Sequence, residues 1–128
     1  MDKKWKKPII KHGKMTKYNY IVQYPENLKL GKIIDIGEFT YINCRYGVQI
    51  GNGVKIGSHC SIYSYSTIDD KKGQVVLKNG SKIGTHSTIM PNVIVGENSV
   101  IAAYSFVIKD IPKNELWAGV PAQFKRKL

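Results

Sequence analysis

The chain has 128 residues, of which 42% are hydrophobic, and a formal net charge of +11 at pH 7. This length suits one domain and is too short for a second domain with its own core. No run of eighteen apolar residues occurs, and the N-terminus lacks the basic-then-apolar pattern of a secretory signal, so no membrane span is expected. Its two cysteines, Cys44 and Cys60, make no disulfide framework, which favours a reduced, cytoplasmic protein.

Residues 1–29 form the first segment and carry no repeat. Pro8, Gly13 and Pro25 interrupt them, but Trp5 and several tyrosines make their composition unlike that of a disordered tail. We expect a capping segment, because the open end of a repeat domain exposes a sheet edge that needs cover.

From residue 30 onward, an aliphatic residue returns every six positions. Most of these positions lie four residues before a small or β-branched residue, as Ile56 lies before Cys60 and Ile83 before Ser87. Two slips interrupt the repeat, one of two residues after Ile42 and one after Ile68. The repeated positions are Leu30, Ile36, Ile42, Ile50, Ile56, Ile62, Ile68, Leu77, Ile83, Ile89, Val95, Ile101 and Val107.

A period of six fits neither a helix nor a simple hairpin sheet. It is typical of a parallel β-helix, in which each hexad supplies one short strand and one corner. The aliphatic residue points into a narrow core and the small residue packs at the corner. We therefore predict an all-β, single-stranded parallel β-helix over residues 30–111, followed by a C-terminal extension over residues 112–128.

One inserted loop interrupts the predicted coil. The segment from Asp69 to Gln74 is polar and contains Gly73, and it lengthens one hexad by three residues in this count.

The positive charge lies largely near the two ends of the chain. It predicts either attraction for a polyanion, such as a phosphate-rich small molecule, or a solvated basic surface. No nucleic-acid partner is expected, since the sequence has no recognition helix, metal-finger spacing or aromatic binding motif. The basic residues at the ends are Lys3, Lys4, Lys6, Lys7, Lys11, Lys14, Lys17, Lys125, Arg126 and Lys127.

Three stretches of the sequence resemble the hexapeptide-repeat acetyltransferases. They are residues 83–91 (IGTHSTIMP), residues 95–101 with 109–112 (VGENSVI and KDIP), and the closing residues 118–122 (AGVPA). The resemblance covers residues 28–126. It implies a left-handed β-helix with three hexads per coil, a homotrimer, and acetyl-CoA and acceptor bound between neighbouring subunits. Counting through the inserted loop with three hexads per coil then predicts that Ile62, Ile83 and Ile101 share one face.

The same resemblance implies that His86 is catalytic, since it matches the histidine of the galactoside and xenobiotic types. An imidazole titrates near neutral pH, which suits a general base that removes a proton from the attacking hydroxyl or amine. A backbone N–H would stabilise the oxyanion of the tetrahedral intermediate. The alternative is a turn histidine without a role.

Five further residues are candidates for contact with the acceptor. His59 stands in a near copy of the His86 motif, and the hexad count places it in another column, beside Gly80 and Asn98. Tyr65 and Tyr104 are predicted to stack with His86 along the outside of the coil, where they either line the acceptor cleft or form only a surface ladder. Asp69 and Asp70 flank the inserted loop, where they orient the histidine, bind the sugar or are simply solvated.

The coenzyme side of the site is implied by the resemblance. Ala103 and Ser105 match positions that contact pantetheine, although Tyr104 replaces the glycine usual in the family. Lys109, Lys125 and Arg126 are candidate partners for phosphates, and Pro121 for the adenine.

The sequence therefore predicts an acetyl-CoA-dependent acetyltransferase acting on a hydroxyl or amino group of a sugar or nucleotide-linked amino sugar. No metal is expected, because a γ-type carbonic anhydrase needs three histidine ligands, and the spacing of His12, His59 and His86 does not supply them. The alternative is a non-catalytic β-helix assembly module, since a fold does not fix a function.

Overall fold

A computed structural model describes residues 5–128 of the chain. Within this range, one turn of 3-10 helix spans Pro25–Asn27, and none of its helices is long and apolar enough to cross a membrane. Seventeen strands make up the regular structure of the described residues: β1 (Ile21–Gln23), β2 (Leu28–Leu30), β3 (Asp35–Ile36), β4 (Tyr41–Asn43), β5 (Val48–Ile50), β6 (Lys55–Ile56), β7 (Ser61–Tyr63), β8 (Tyr65–Ser66), β9 (Lys71–Lys72), β10 (Val75–Leu77), β11 (Lys82–Ile83), β12 (Thr88–Ile89), β13 (Ile94–Val95), β14 (Val100–Ile101), β15 (Phe106–Val107), β16 (Glu115–Gly119) and β17 (Ala122–Lys127).

Fifteen of these strands form three sheets around one core, and all the pairings in these sheets are parallel except that of β16 with β17. Sheet 1 has the order β1-β4-β7-β12-β15, sheet 2 the order β13-β10-β5-β2, and sheet 3 the order β17-β16-β14-β11-β6-β3. The chain visits the three sheets in turn, so each coil contributes one strand to each. The architecture is the predicted left-handed parallel β-helix, and the fold prediction is confirmed.

The six-residue repeat fixes which side chains point inward. Ile42, Ile62 and Ile89 are completely buried and stack on one another in sheet 1. The small or β-branched residue of each hexad is buried at the following corner, as in Thr40, Cys60 and Ser87. Alternation along strands only two or three residues long thus produces a core one side chain wide.

Ile68 is the exception to the predicted pattern, because 95% of its surface is exposed. It lies at the tip of an antiparallel hairpin, residues 65–73, in which β8 pairs with β9. Ile62 pairs with Ile89, 27 residues later, whereas Ile89 pairs with Val107, 18 residues later. The insertion therefore adds nine residues rather than the three predicted.

This difference overturns the predicted columns. Ile62 does not share a face with Ile83 and Ile101, since it lies in sheet 1 and they lie in sheet 3. Ile83 pairs instead with Ile56 on one side and Ile101 on the other. The predicted columns are wrong because they include Ile68 as a core position, whereas its side chain is exposed.

Both ends of the coil are covered by the chain itself. Parallel pairing begins at β1, inside the segment predicted as a cap, and Val22 is fully buried. Residues before β1 fold back over it: Met15 bridges to Ile21, and the Trp5 indole N–H donates to the carbonyl of Ile34 at 2.9 Å. At the other end, β16 continues sheet 3 and β17 returns antiparallel along it. Lys3 and Lys4 of the predicted basic N-terminus lie outside the described residues.

Candidate functional site

Four aromatic side chains form a continuous column along the corner that joins sheet 3 to sheet 1. The ring centroids of His59 and His86 are 4.7 Å apart with planes inclined by 3°, and those of His86 and Tyr104 are 4.7 Å apart with planes inclined by 5°. Phe39 continues the column, with its centroid 5.3 Å from that of His59. We call Phe39, His59, His86 and Tyr104 the aromatic column.

The predicted stack was partly wrong. Tyr104 stacks with His86 as expected, but Tyr65 does not belong to the column, and His59 occupies the place assigned to it. The physical reason is the nine-residue insertion, which puts His59 and His86 at the same point of successive coils. Each member of the column follows a buried isoleucine of sheet 3 by three residues, as His59 follows Ile56 and His86 follows Ile83.

The corner backbone points these rings outward. His59, His86 and Tyr104 have φ of 57°, 59° and 60°, in the left-handed region that costs L-residues roughly 1–2 kcal/mol each. Hydrogen bonds between coils hold this conformation: the His86 N–H donates to the Ser58 carbonyl at 3.1 Å, and the Tyr104 N–H to the Thr85 carbonyl at 2.9 Å. Asn92 and Asn98, at other corners, share this φ, so the conformation belongs to the fold and only the residue types distinguish this corner.

Thr85 connects the His86 ring to the coil beneath it. Its Oγ1 lies 2.8 Å from His86 Nδ1, 2.8 Å from the Ser58 carbonyl oxygen and 3.2 Å from Ser58 Oγ. Thr85, Ser58 and Phe39 are not among the site residues predicted from the sequence. Phe39 could have been found from its position three residues after Ile36, but hydroxyl contacts between coils leave no signal in the spacing.

Cys60 lies below the column and offers no competing nucleophile. Its side chain is buried, and its Sγ contacts the Gly84 carbonyl at 3.2 Å. Burial raises the pKa of this thiol, with backbone hydrogen bonds from Ser87 and His86 acting in the opposite direction. Because a thiolate is the reactive form of cysteine, Cys60 is suited to packing rather than to chemistry.

The hairpin carries the remaining acceptor candidates and lies at the other end of β7. His59 precedes this strand and Tyr65 follows it, which separates the hairpin from the column by roughly 15–20 Å along one coil. The structure therefore does not bring Tyr65, Asp69 and Asp70 to His86 within one chain.

Tyr65 is held at the base of the hairpin by polar and aromatic contacts. Its hydroxyl donates to Asp70 Oδ1 at 3.2 Å, and the hydrogen bond to this carboxylate raises the pKa of Tyr65. The guanidinium of Arg45 lies 5.3 Å from the Tyr65 ring and 5.8 Å from those of Tyr24 and Tyr46. A hydrogen bond with Ser66 is the main cause of the lowered pKa of Asp69.

The coenzyme candidates lie on the last coil and the C-terminal strands. Ala103 is exposed beside the column, and Lys109, Pro121, Lys125 and Arg126 are also exposed. Ser105 differs, since it is buried and its hydroxyl donates to the Ala102 carbonyl at 2.7 Å and accepts the Gly119 N–H at 3.2 Å. Its side chain ties β16 to the coil rather than facing solvent. Within residues 5–128, no group of three or more His, Cys, Asp or Glu side chains is placed to hold a metal ion.

Comparisons with known proteins identify relatives that share the repeat and solved structures that share the fold. The family model described as bacterial transferase hexapeptide (six repeats) matches residues 74–109. A galactoside O-acetyltransferase of Escherichia coli is 34% identical in a match that covers 86% of this chain and 62% of the relative.

Two solved structures have the same architecture. A galactoside acetyltransferase in complex with coenzyme A superposes with a TM-score of 0.75 at 30% identity, covering 84% of this chain and 58% of that chain. A hexapeptide-repeat acetyltransferase from Vibrio cholerae, complexed with acetyl-CoA, superposes with a TM-score of 0.80 at 24% identity, covering 85% and 64%. The present chain thus spans less than two thirds of the length of each of these proteins.

Proposed function

This chain belongs to the hexapeptide-repeat transferase family, and from that membership we propose that it is an acetyl-CoA-dependent acetyltransferase. Its acceptor is a hydroxyl or amino group of a sugar or of a nucleotide-linked amino sugar. The observation that carries the proposal is His86: an exposed imidazole, stacked between two rings, on a coil within the matched repeats. The complexes of its relatives with coenzyme A and acetyl-CoA support the choice of donor.

The proposed reaction is a direct acetyl transfer with His86 as general base. The imidazole accepts the proton of the acceptor O–H or N–H as that atom attacks the thioester carbonyl carbon. A backbone N–H stabilises the oxyanion of the tetrahedral intermediate. The C–S bond then breaks, the acetyl group stays on the acceptor, and coenzyme A leaves as a thiolate that takes the proton from His86.

We propose that the exposed cations of the last coil and the C-terminal strands receive the coenzyme. Lys109, Lys125 and Arg126 offer positive charge to its phosphates, Ala103 lies along the pantetheine, and Pro121 packs on the adenine. Ser105 serves this side of the site indirectly, since its buried hydroxyl fixes β16 against the coil.

For the acceptor, we propose a site between neighbouring subunits of a homotrimer. His59 and Tyr104 lie beside His86 and line it directly, whereas Tyr65, Asp69 and Asp70 lie on the hairpin at the other end of β7. A hairpin from a second subunit can reach the column that its own chain cannot. A monomer in sedimentation analysis would contradict this arrangement.

Calorimetry with acetyl-CoA, followed by turnover measurements, tests the function. Saturable binding near one site per chain is expected, together with acceptor-dependent release of free thiol from a panel of sugars and sugar nucleotides. Changing His86→Ala should leave binding intact and lower kcat by about 10²–10⁴-fold, the contribution typical of a general base.

His12→Ala is the matched control, because His12 lies on the N-terminal cap and accepts a hydrogen bond from the Tyr24 N–H. This variant should turn over at the parent rate. Absence of acetyl-CoA binding at both low and moderate salt would contradict the proposal and favour a non-catalytic assembly module.

A further inference from the structure

The hydrogen-bond partners of Thr85 determine where its single hydroxyl proton lies. A carbonyl oxygen can only accept, so the 2.8 Å contact between Thr85 Oγ1 and the Ser58 carbonyl requires the Thr85 proton to point at that oxygen. The hydroxyl then has only lone pairs for its other neighbours. Ser58 Oγ, 3.2 Å away, can donate to one of them.

This arrangement assigns the proton on the His86 ring as well. Nδ1 lies 2.8 Å from the same Thr85 oxygen, which has no proton left to give. Two lone pairs facing each other at this distance would repel, so Nδ1 must carry the hydrogen and donate it to Thr85. In a neutral imidazole with Nδ1 protonated, Nε2 has the free lone pair.

The aromatic column restricts the orientation of the His86 ring. His86 lies between the parallel rings of His59 and Tyr104, each with its centroid 4.7 Å away. Turning the imidazole over would place a carbon in the position of Nδ1 and lose the Thr85 hydrogen bond. Stacking therefore fixes the plane of the ring, and Thr85 selects which edge faces the coil.

We propose that Thr85 is a positioning residue that holds His86 as the Nδ1–H tautomer and presents Nε2 as the basic nitrogen. The proposal deepens the proposed function and rests on it for its catalytic consequence. Loss of tautomer control in a serine-protease triad lowers kcat by roughly 10⁴-fold, which shows how large such an effect can become. A neutral hydroxyl in place of a carboxylate should give a smaller effect, on the order of ten- to a hundredfold.

Nuclear magnetic resonance of the imidazole nitrogens tests the tautomer without substrate. The chain has three histidines, so long-range ¹H–¹⁵N correlations of ¹⁵N-labelled protein can be assigned with the His86→Ala variant. At about pH 8.5, where an ordinary imidazole is neutral, the parent should show His86 with Nδ1 protonated. In Thr85→Val the signals should move toward the Nε2–H form or an average of the two.

Two variants make the experiment specific. Thr85→Ser keeps the hydroxyl and should retain the parent tautomer, whereas Thr88→Val, a threonine of the same coil, should change nothing. Thr88 lies on β12, and the hydroxyl that contacts His86 Nδ1 is that of Thr85, which makes Thr88 a matched control. A parent spectrum with His86 protonated at Nε2, or an unchanged tautomer in Thr85→Val, would overturn the proposal.

Kinetics then separates this proposal from the function on which it rests. Thr85→Val should lower kcat ten- to a hundredfold with little change in the KM for acetyl-CoA, and Thr85→Ser should restore it. If the parent has the Nδ1–H tautomer but acetylates nothing, the proposed function fails and the positioning role survives. If the parent is active and Thr85→Val has full kcat, the catalytic consequence of the positioning role is wrong.

Discussion

Isoleucine at the repeat positions is buried in the coils and exposed in the hairpin. Ile62 and Ile89 are completely buried in sheet 1, whereas 95% of the surface of Ile68 is exposed at the hairpin tip. All three lie on the six-residue repeat as it is read from the sequence. A spacing of six thus marks a core position only where the backbone also pairs with the coils above and below.

Thiol reactivity should show the largest difference between these two regions. Burial raises the pKa of Cys44 to about 12 and also raises that of Cys60, while a cysteine introduced by Ile68→Cys would be exposed. At about pH 8, we expect the two native thiols to be alkylated at least a thousandfold more slowly than the new one, because their reaction must wait for the coil to open.

Mass spectrometry of the labelled peptides can follow all three thiols in the same sample. In denaturant, the three rates should converge, which controls for intrinsic differences between the sites. Rapid labelling of Cys44 in the native protein would mean that the coil interior is not closed as the structure has it.

The in-or-out pattern of the coil was predictable from the sequence, and the aromatic column was not. The inward-pointing residue of each hexad follows from local spacing, so the core could be predicted. The column depends on the number of residues in a whole coil, and two values for the length of the insertion fit the sequence equally well. Ser66 precedes Ile68 by two residues and Val75 precedes Leu77 by two, so each pair satisfies the repeat. Backbone pairing in the structure selects Val75, which is buried.

The surroundings of His86 were likewise predictable only in part. Its place in the late repeats follows from the sequence resemblance, which the family comparison confirms. Its stacking on His59, 27 residues away, follows only when the insertion is counted correctly. Its contact with the adjacent Thr85 depends on side-chain geometry that the spacing does not reveal.

Removing core volume gives the next largest effect. Ile89→Ala should lower the free energy of unfolding by about 2–5 kcal/mol, because the narrow core cannot collapse around the lost methyl groups. Ile68→Ala should change it by no more than about 0.5 kcal/mol, as expected of an exposed site. Urea denaturation at one fixed protein concentration measures both values. Equal losses in the two variants would contradict the contrast between the coil and the hairpin.

Deleting the hairpin should have a small effect on stability and a specific effect on function. Without residues 65–73, Ser64 joins Gln74, and the sequence from Ile62 to Leu77 becomes a regular hexad with Val75 at its corner position. None of the nine deleted residues is part of the buried core. The deletion removes the β8–β9 pairing and contacts made by exposed or partly exposed residues. These are the ion pairs Lys71–Asp69 and Lys72–Asp70, the contacts of Tyr65 with Arg45, Tyr46 and Asp70, the contact of Lys72 with Tyr46, and the hydrogen bonds of Asn92 to the carbonyls of Lys72 and Gly73.

Such interactions contribute about 1 kcal/mol or less each, and the shorter loop offsets part of their removal. We therefore expect the free energy of unfolding of the deletion variant, measured in urea, to lie within about 2 kcal/mol of that of the parent. If the hairpin of one subunit completes the acceptor site of another, the same variant should keep its affinity for acetyl-CoA and lose affinity for the acceptor, seen as a raised KM. An unchanged KM would remove Tyr65, Asp69 and Asp70 from the site and leave recognition of the acceptor to the aromatic column.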